Sequence, residues 1–321
     1  MQAVIQDTYG PPERLEVRTI ETPRISDDEV LVRVEAAGLH IGDSFGVRGA
    51  PLPMRLVSGL LRPKYGVPGF DVAGRVETVG ASVTKFNPGD EVFGVTSGAC
   101  AEYAAVAEGK LAQKPKGLSF EQAAALPTSA LAALQGLRDV AHVRPGDKVL
   151  INGASGGVGT MATQIAKSLG AHVTAVCGAR SAAMVRSIGA DRVIDYATQD
   201  FTLGGPQYDV IFDNVENRSL AECRRALTPR GTLVLNSGTG ARGLTMLLRL
   251  VHPLALSPFV GQSLRRFVSN PNHADLVILG GLADAGTLRP VIDSTFPLHA
   301  TAAALRYIES GHARGKVVIA V

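Results

Sequence analysis

A glycine-rich stretch in the middle of the chain has the residue types and spacing of a phosphate-binding loop. It reads INGASGGVG, from Ile151 to Gly159, between the strand-like run KVLIN and the helix-like run GTMATQIAKSLG. Such clusters also occur in ordinary turns, but the strand, helix and following strand HVTAVC together favour a dinucleotide loop. Glycine lets the pyrophosphate approach the N–H groups at the helix N-terminus. The predicted contacts are Ala154, Ser155, Gly156, Gly157 and Val158.

The end of the next strand-like run indicates which dinucleotide is bound. NAD-binding proteins place an Asp or Glu about 20 residues past the loop, on the ribose 2′-hydroxyl. Here Gly178 and Arg180 occupy that region, and no carboxylate precedes Asp191. An arginine pairs with a 2′-phosphate that a carboxylate would repel. The pattern therefore favours NADPH over NADH, although Arg180 could instead be a solvated charge at a helix start.

Composition excludes several other classes of protein. The chain has 321 residues, 45% hydrophobic and 19% charged, with a net charge of +3 spread along its length, which gives no basic patch for nucleic acid. Cys100, Cys177 and Cys223 lie far apart, which excludes a disulfide framework or a four-cysteine zinc site and fits the cytoplasm. No signal peptide is recognisable, and charges and prolines interrupt the most apolar stretch, residues 244–260, so no membrane span is expected.

The pattern of elements changes near residue 120 and predicts an α/β protein of two domains. Before it, short strands alternate with turns, and period-two patterns in Val30 to Val34 and Val72 to Val76 predict half-buried strands. After it, the run EQAAALPTSALAALQGLRDVA predicts one helix, followed by apolar strands that alternate with helices. Such alternation predicts a doubly wound parallel sheet covered on both faces.

At this point the chain resembles the medium-chain dehydrogenase/reductase superfamily, in its zinc-free, quinone oxidoreductase-like branch. The resemblance rests on ordered motifs over nearly the whole length, among them EVLVRVEAAGLHIGD, VPGFDVAGRVETVG, FNPGDEVFG, INGASGGVG, GADRVIDY and GHARGKVVI. It implies a GroES-like catalytic domain formed by residues 1–122 and 270–321. A Rossmann domain, residues 123–269, is inserted between them, with the active site in the cleft. It also implies homodimers joined through edge strands, for which PFVGQSL, residues 258–264, is the candidate.

The resemblance also locates the positions at which zinc-dependent relatives hold their metal. The first, a cysteine in those relatives, corresponds to His40, which could in principle bind zinc. The second corresponds to Phe70, which cannot ligate, and the third to Thr128. The four-cysteine lobe that follows the PGDEV motif in those relatives is also missing. We therefore predict no catalytic or structural metal.

Without a metal, the favoured reaction is hydride transfer to a quinone or an α,β-unsaturated carbonyl. These acceptors delocalise the incoming charge, so the protein must mainly align the reactants and donate a hydrogen bond. Candidate donors are His40, Tyr65 and Thr128, although His40 could equally line a pocket with no chemical role. Asp43 is interpreted as a structural partner.

The resemblance carries further cofactor contacts over to this chain. Tyr196 is expected near the adenosine, and Lys316 is expected to close the cleft. Contacts to the nicotinamide ribose and nicotinamide are expected from Asn214, Val215, Asn236 and Ser237, in a run that ends at Gly238. Glu216 departs from the family pattern, which commonly has glycine there.

Three functions remain open from the sequence. The first is an NADPH-dependent reductase of small apolar quinones or enones. The second is a non-catalytic NADPH-binding protein for redox sensing or assembly, and the third is an NADP-dependent alcohol dehydrogenase, which would require a metal. The apolar segment 239–258 could be a wall over the substrate, a helix at the dimer interface or a membrane-surface contact.

Overall fold

In the computed structural model the chain forms two compact units. The structure describes residues 1–50, 52, 55–64, 66–236 and 260–321. The first unit comprises residues 1–131, 271–286 and 290–321, and the second comprises residues 132–270 and 287–289. The first boundary between the two units, after residue 131, thus lies nine residues beyond the domain boundary that the sequence predicts after residue 122.

The first unit is built on an antiparallel sheet with one parallel edge pair. Its order is β14-β15-β3-β4-β5-β7, β6 pairs with β3, and β1 and β2 form a separate antiparallel pair. The strands are β1 (Gln2–Ile5), β2 (Glu16–Thr19), β3 (Glu29–Leu39), β4 (Asp71–Val79), β5 (Glu91–Val95), β6 (Tyr103–Ala107), β7 (Leu111–Gln113), β14 (Ile292–Pro297) and β15 (Lys316–Ala320).

The central strands of this unit are buried more completely than the alternating pattern predicts. Val30, Leu31 and Val32 are all buried, because β3 lies between β15, β4 and β6 and is covered on both faces. The expectation of half-buried strands is therefore wrong for β3 and for most of β4. The helices of this unit are α1 (Ile41–Arg48), α2 (Arg55–Ser58), α3 (Phe120–Ala124), the start of α4 (Pro127–Gln135), α8 (His273–Asp284) and α9 (Thr301–Glu309).

The single helix predicted from Glu121 to Ala141 is in fact three segments. Helix α3 ends at Ala124, α4 begins at Pro127, and a π-helical turn covers Gly136–Val140. Proline has no N–H to donate to the preceding turn but fits the first turn of a new helix. The break at Pro127 places the backbone N–H of Thr128 in the first turn of α4, free to bond a side chain.

The second unit contains a six-stranded, fully parallel sheet in the order β10-β9-β8-β11-β12-β13. This is the strand order of a Rossmann domain, with the switch in direction between β8 and β11. Its strands are β8 (Lys148–Asn152), β9 (His172–Cys177), β10 (Arg192–Asp195), β11 (Tyr208–Asp213), β12 (Leu227–Leu235) and β13 (Ser263–Arg266). Its remaining helices are α5 (Gly157–Ser168), α6 (Ala182–Ser187) and α7 (Leu220–Ala226). The predicted doubly wound sheet is confirmed.

Helix α5 packs tightly against the strand that precedes it. A Cβ at Gly159 would lie 2.1 Å from the carbonyl oxygen of Gly153, so only glycine allows this approach. Eight residues of α5 are buried, from Gly159 to Ala166. In the parts of the chain that the structure describes, no helix is long and apolar enough to cross a membrane.

Candidate active site

The glycine loop forms an open cradle at the N-terminus of α5. Gly156 is the N-cap residue, with extended backbone (φ −81°, ψ 175°) and no side chain to cap the first turn. A Cβ at Gly156 would meet only the carbonyl oxygen of Gly153, at 3.6 Å, so the space beside it is free of protein atoms. The N–H groups of the first helical turn carry a partial positive charge. These features fit a dinucleotide pyrophosphate.

Four of the five residues predicted for the loop are accessible, and the fifth is not. Ser155, Gly156, Gly157 and Val158 are partly exposed. Ala154 is fully buried, and its N–H donates to the carbonyl oxygen of Val176 at 2.9 Å. Ala154 therefore attaches the loop to β9, and its predicted contact with the cofactor stays a prediction.

The residues predicted to select the cofactor lie at the carboxyl ends of β9 and β10. A Cβ at Gly178 would lie 3.3 Å from the hydroxyl oxygen of Tyr196, so the tyrosine ring covers the position next to this glycine. Tyr196 is 61% exposed, which leaves its ring open to a ligand. Arg180 is exposed and has no bonded partner in the part of the chain that the structure describes. A glycine, an open aromatic ring and a free guanidinium thus share one edge of the sheet.

A network of amides joins the carboxyl ends of β8, β11 and β12. Asn214 donates to the carbonyl oxygen of Asn152 at 3.1 Å and accepts from the amide of Asn236 at 2.9 Å. The carboxylate oxygen Oδ1 of Asp213 accepts from the Asn152 amide and from the N–H groups of Val215 and Glu216. The predicted contacts Asn214, Val215 and Asn236 are therefore held together. Ser237, like residues 238–259, lies outside the described residues.

Glu216 has the backbone conformation that glycine adopts most easily. Its φ is +56°, and its carboxylate is buried against Arg266, with bonds of 2.9 and 2.5 Å. The side chain therefore keeps the turn after β11 attached to β13. The left-handed φ explains why glycine suits this position, and the ion pair shows what glutamate adds.

In the first unit, His40 presents one nitrogen to the backbone and the other to no protein partner. Nδ1 accepts the N–H of Gly42 at 3.0 Å, so a neutral ring carries its proton on Nε2. Nε2 is buried and has no hydrogen-bond partner among the residues described. The ring stacks on Phe70, with centroids 5.6 Å apart and planes 9° from parallel. His40 is therefore a fixed imidazole with an unused donor.

Glycine at position 42 is required for this arrangement. A Cβ there would lie 2.7 Å from Cε1 of His40 and 2.8 Å from its Nδ1. Both distances are shorter than real Cβ contacts, so any side chain would displace the imidazole. The motif Gly38 to Asp43 thus combines histidine and glycine as one structural unit.

Lys316 and Asp71 form a buried ion pair, to which Thr128 is also hydrogen-bonded. Lys316 Nζ donates to Asp71 Oδ2 at 2.9 Å, and both side chains are almost fully buried. Thr128 donates from its backbone N–H (2.9 Å) and its hydroxyl (2.5 Å) to Asp71 Oδ1. The ammonium of Lys316 is thus paired with Asp71, and its predicted contact with the cofactor stays a prediction. Thr128 is likewise a positioning residue, since its hydroxyl proton is already donated.

Asp43 is a buried carboxyl group with one unsatisfied oxygen. Oδ2 accepts the backbone N–H of His40 at 2.7 Å in a capping box at the start of α1. Oδ1 has no partner among the described side chains and backbone groups. Burial raises the pKa of Asp43, and the nearby Asp71 raises it further, while His40 and Lys316 lower it. This group therefore favours its protonated form more than an ordinary aspartate does.

The remaining candidates are either undescribed or chemically inert. Tyr65 lies outside the described residues. Burial raises the pKa of the Cys100, Cys177 and Cys223 thiols, that of Cys223 to about 12, so all three stay protonated. Over the described part of the chain, no group of three or more His, Cys, Asp or Glu side chains could hold a metal ion.

Comparisons with known proteins agree with this architecture. Residues 26–136 match the family described as alcohol dehydrogenase GroES-like domain, and residues 188–319 match the family described as zinc-binding dehydrogenase. The chain is 31% identical to the quinone oxidoreductase from Coxiella burnetii, with a TM-score of 0.87, covering 100% of this chain and 99% of that one. The fold and these domains define a two-domain dehydrogenase.

Two curated relatives match over nearly the full chain. A quinone-oxidoreductase homolog of Spinacia oleracea is 33% identical, covering 99% of this chain and 98% of the relative. An NADPH-dependent alkenal/one oxidoreductase of Arabidopsis thaliana is also 33% identical, covering 99% of this chain and 79% of the relative. The chain belongs to the medium-chain dehydrogenase/reductase superfamily, in its quinone oxidoreductase branch. The resemblance drawn from the sequence motifs is confirmed.

Sequence reasoning missed the central role of Asp71. This residue follows Phe70 directly, in the motif that supplied a predicted ligand position, and its full burial is what demands Lys316 and Thr128 as partners. The available signal was a carboxylate directly before the apolar run Val72 to Gly74, because a buried carboxylate must be paired.

Proposed function

We propose that this protein is a reductase that transfers hydride from NADPH to a quinone or an α,β-unsaturated carbonyl without a catalytic metal. One observation carries the proposal. Of the three positions that hold zinc in metal-dependent relatives, Phe70 stacks on His40 and Thr128 is bonded to Asp71. Among the described residues at these three positions, the hydrogen-bond donor that has no protein partner is Nε2 of His40.

This donor suits a conjugated acceptor better than an isolated ketone. Hydride addition to an enone or quinone places the negative charge on an oxygen that is conjugated with the reacting carbon. A neutral imidazole that donates one hydrogen bond stabilises that charge, and it needs no metal electrophile. The names of the spinach and Arabidopsis relatives, a quinone-oxidoreductase homolog and an alkenal/one oxidoreductase, support the same two substrate classes.

The choice of NADPH rests on the edge formed by Gly178, Arg180 and Tyr196. The exposed guanidinium of Arg180 suits a 2′-phosphate, and the 61% exposed ring of Tyr196 suits the adenine face. When bound, NADPH supplies the hydride, while the chain supplies the cradle at Gly156 and the donor at His40.

We also propose a homodimer and a reducing compartment such as the cytoplasm. Strand β13 ends the parallel sheet, and its outer edge pairs with no strand in the described ranges, which supports a second copy at that edge. Three buried thiols, none in a disulfide, support a reducing compartment, which cell fractionation with an antibody to the chain would test. Recovery in an oxidising compartment would contradict that assignment.

The acceptor specificity tests the proposed function. We expect the purified protein to oxidise NADPH with quinones and enones, at rates unaffected by a metal chelator, and to leave simple ketones unreduced. Gly156→Val tests the role of the cradle, because its side chain would occupy the open space where the pyrophosphate is proposed to bind, without a clash between its Cβ and the protein. It should abolish turnover and leave folding intact.

Two results would overturn the proposal. Tight NADPH binding without turnover across a broad panel would favour the non-catalytic function. Stoichiometric zinc together with chelator-sensitive alcohol oxidation would favour the alcohol dehydrogenase.

A further inference from the structure

The ion pair between Glu216 and Arg266 joins two elements that are not neighbours in the sheet. Glu216 lies in the turn of residues 214–216, directly after β11, and Arg266 is the last residue of β13. Strand β12 lies between those two strands. Nη1 and Nη2 of Arg266 donate to the two carboxylate oxygens of Glu216, at 2.9 and 2.5 Å. The side chain of Glu216 is only 4% exposed and that of Arg266 19%, so the pair is largely shielded from water.

The strand register places this pair at the edge of the sheet where dinucleotides bind. Four residues are successive partners across β8, β11, β12 and β13, namely Asn152, Asp213, Leu235 and Arg266. Each of them is the last residue of its strand. In doubly wound sheets the ligand binds outside the carboxyl ends of the strands, at the point where the strand order reverses. Arg266 therefore belongs to the row of residues that borders the cofactor site, although β13 is the outermost strand.

The turn 214–216 is in direct contact with the glycine loop. A Cβ at Gly153 would lie 2.6 Å from Cγ2 of Val215, so the first glycine of the loop packs on this turn. Asn214 also donates to the carbonyl oxygen of Asn152, the residue that precedes the loop. A shift of the turn would therefore displace the surface to which the nicotinamide ribose is proposed to bind.

The conformation of Glu216 is explained by the bond that its side chain makes. Its φ is +56°, a value that glycine adopts at little cost. A glycine would relieve the backbone, but it would have no side chain to reach Arg266. Strained residues persist where the surrounding structure holds them, and they are concentrated at functional sites. The strained turn and its bond to β13 thus point to a role in shaping the cofactor site.

We propose that Arg266 is a positioning residue of the cofactor site, which acts through Glu216 to hold the turn 214–216 in the conformation that binds the nicotinamide half of NADPH. The proposal rests on the proposed function, because it concerns the same cofactor. Arg266 needs no contact with the cofactor for this role. A turn that is already ordered loses less conformational entropy when the ligand binds, so the affinity is higher.

The first experiment is Glu216→Gly, which removes the carboxylate and the backbone strain together. We expect Kd for NADPH to rise roughly 10-fold, because the turn must then be ordered on binding. The affinity for 2′,5′-ADP should be unchanged, since this fragment carries the adenosine and the 2′-phosphate but no nicotinamide ribose. Fluorescence titration would measure the first affinity and calorimetry the second. KM for NADPH should rise by a larger factor than that by which kcat falls.

A double-mutant cycle tests whether Arg266 acts through Glu216. Arg266→Met removes the guanidinium and should also weaken NADPH binding. The double variant Glu216→Gly/Arg266→Met should bind NADPH no more weakly than Glu216→Gly alone, because both substitutions remove the same interaction. Glu216→Gln keeps one oxygen for Arg266, and its Kd should lie between those of the wild type and Glu216→Gly. Neither Glu216→Gly nor the double variant leaves a buried carboxylate, so both stay informative if Arg266→Met does not fold.

A second ion pair of the same unit supplies the matched control. Nζ of Lys167 lies 2.9 Å from both carboxylate oxygens of Asp191. Asp191 directly precedes β10, so this pair lies at the amino end of a strand, opposite the edge where dinucleotides bind. Asp191→Asn should lower Tm and keep the wild-type Kd for NADPH.

Amide hydrogen exchange gives a readout on the turn itself. The N–H groups of Val215 and Glu216 donate to Oδ1 of Asp213, at 3.0 and 2.8 Å. In free Glu216→Gly the amides of residues 215 and 216 should exchange faster than in the wild type. Bound NADPH should restore their protection, because the ligand then orders the turn.

The outcomes separate this inference from the proposed function. A wild type that binds neither NADPH nor 2′,5′-ADP would defeat the proposed function itself. Normal NADPH affinity in Glu216→Gly, with the wild type binding NADPH, would overturn the positioning role alone. Equal losses of NADPH and 2′,5′-ADP affinity, or the same loss of NADPH affinity in Asp191→Asn, would show that the pair only stabilises the unit. A double variant weaker than Glu216→Gly would show that Arg266 does not act through Glu216.

Discussion

Single side chains determine the chemistry available in the first unit. Phe70 cannot ligate a metal, yet its ring holds the imidazole of His40 in a nearly parallel stack. The Gly42 N–H then fixes the proton of that imidazole on Nε2. In the proposed reaction, restricting one ring in this way would make a weak donor effective, because the imidazole is already oriented when charge develops on the substrate oxygen.

Arg180 is the residue on which the proposed selectivity for NADPH depends. We expect Arg180→Ala to weaken NADPH binding roughly 10- to 100-fold, since a charge-assisted bond to the 2′-phosphate is lost, and to leave NADH binding unchanged. Fluorescence titration of both nucleotides would measure the effect. Arg186→Ala, an exposed arginine at the end of α6, is the matched control and should bind both as the wild type does. Equal losses for both nucleotides in Arg180→Ala would remove the 2′-phosphate role.

For single residues, the sequence was enough to predict a role where that role follows from spacing within one local motif. Gly156 and Arg180 could be located by counting from a strand, since both lie in one βαβ unit. Lys316 and Asp71 could not be paired in this way, because 245 residues separate them. Only the folded sheet, in which β15 and β4 both flank β3, brings the two charges together.

Among the elements, the turn after β11 contains a strained backbone at Glu216 and an ion pair that offsets the cost of that strain. Glu216 has a left-handed φ of +56°, which costs a non-glycine residue about 1 kcal/mol, and its buried carboxylate offsets this by bonding Arg266. The strain and the ion pair are thus properties of one residue and can be separated by substitution.

Two variants of Glu216 would separate them. Glu216→Ala keeps the strained backbone and loses the ion pair, so we expect the unfolding free energy to fall by roughly 3 kcal/mol. Glu216→Gly loses the same ion pair but relieves the backbone, so it should be about 1 kcal/mol more stable than the alanine variant. Urea unfolding followed by circular dichroism would measure both. Equal stability of the two variants would show that the backbone is not strained.

Element types were more predictable than element ends. The Rossmann strands and helices followed from apolar runs that alternate with helical patterns. The break at Pro127 did not, because an Ala-rich, Leu-rich periodicity continues across it and outweighs one proline in a sequence pattern. That break matters for the site, since it supplies the Thr128 N–H to Asp71.

For the whole molecule, the open edge of the parallel sheet is the feature on which the proposed homodimer rests. Strand β13 pairs with β12 on one side, and on its other side the described residues provide no strand. We expect light scattering to give a mass of about twice the 33.5 kDa chain. Amides of Ser263–Arg266 should exchange slowly with solvent, and faster on dilution. A monomeric mass, or a dimer with fast exchange along β13, would contradict dimerisation through this edge.

The contacts of Phe70 with His40 and of Thr128 with Asp71 have a consequence for protein engineering. Introducing a metal site here would require a ligand in place of Phe70 and another in place of Thr128. Thr128→Cys alone removes the hydroxyl donor from a buried carboxylate, and Phe70→His alone removes the phenyl ring that stacks on His40. Each intermediate on that route is therefore less stable than its starting point and still lacks a complete ligand set. If the proposed metal-free reaction is correct, directed evolution by single steps should retain it, and a change to metal-dependent chemistry would need several substitutions made at once.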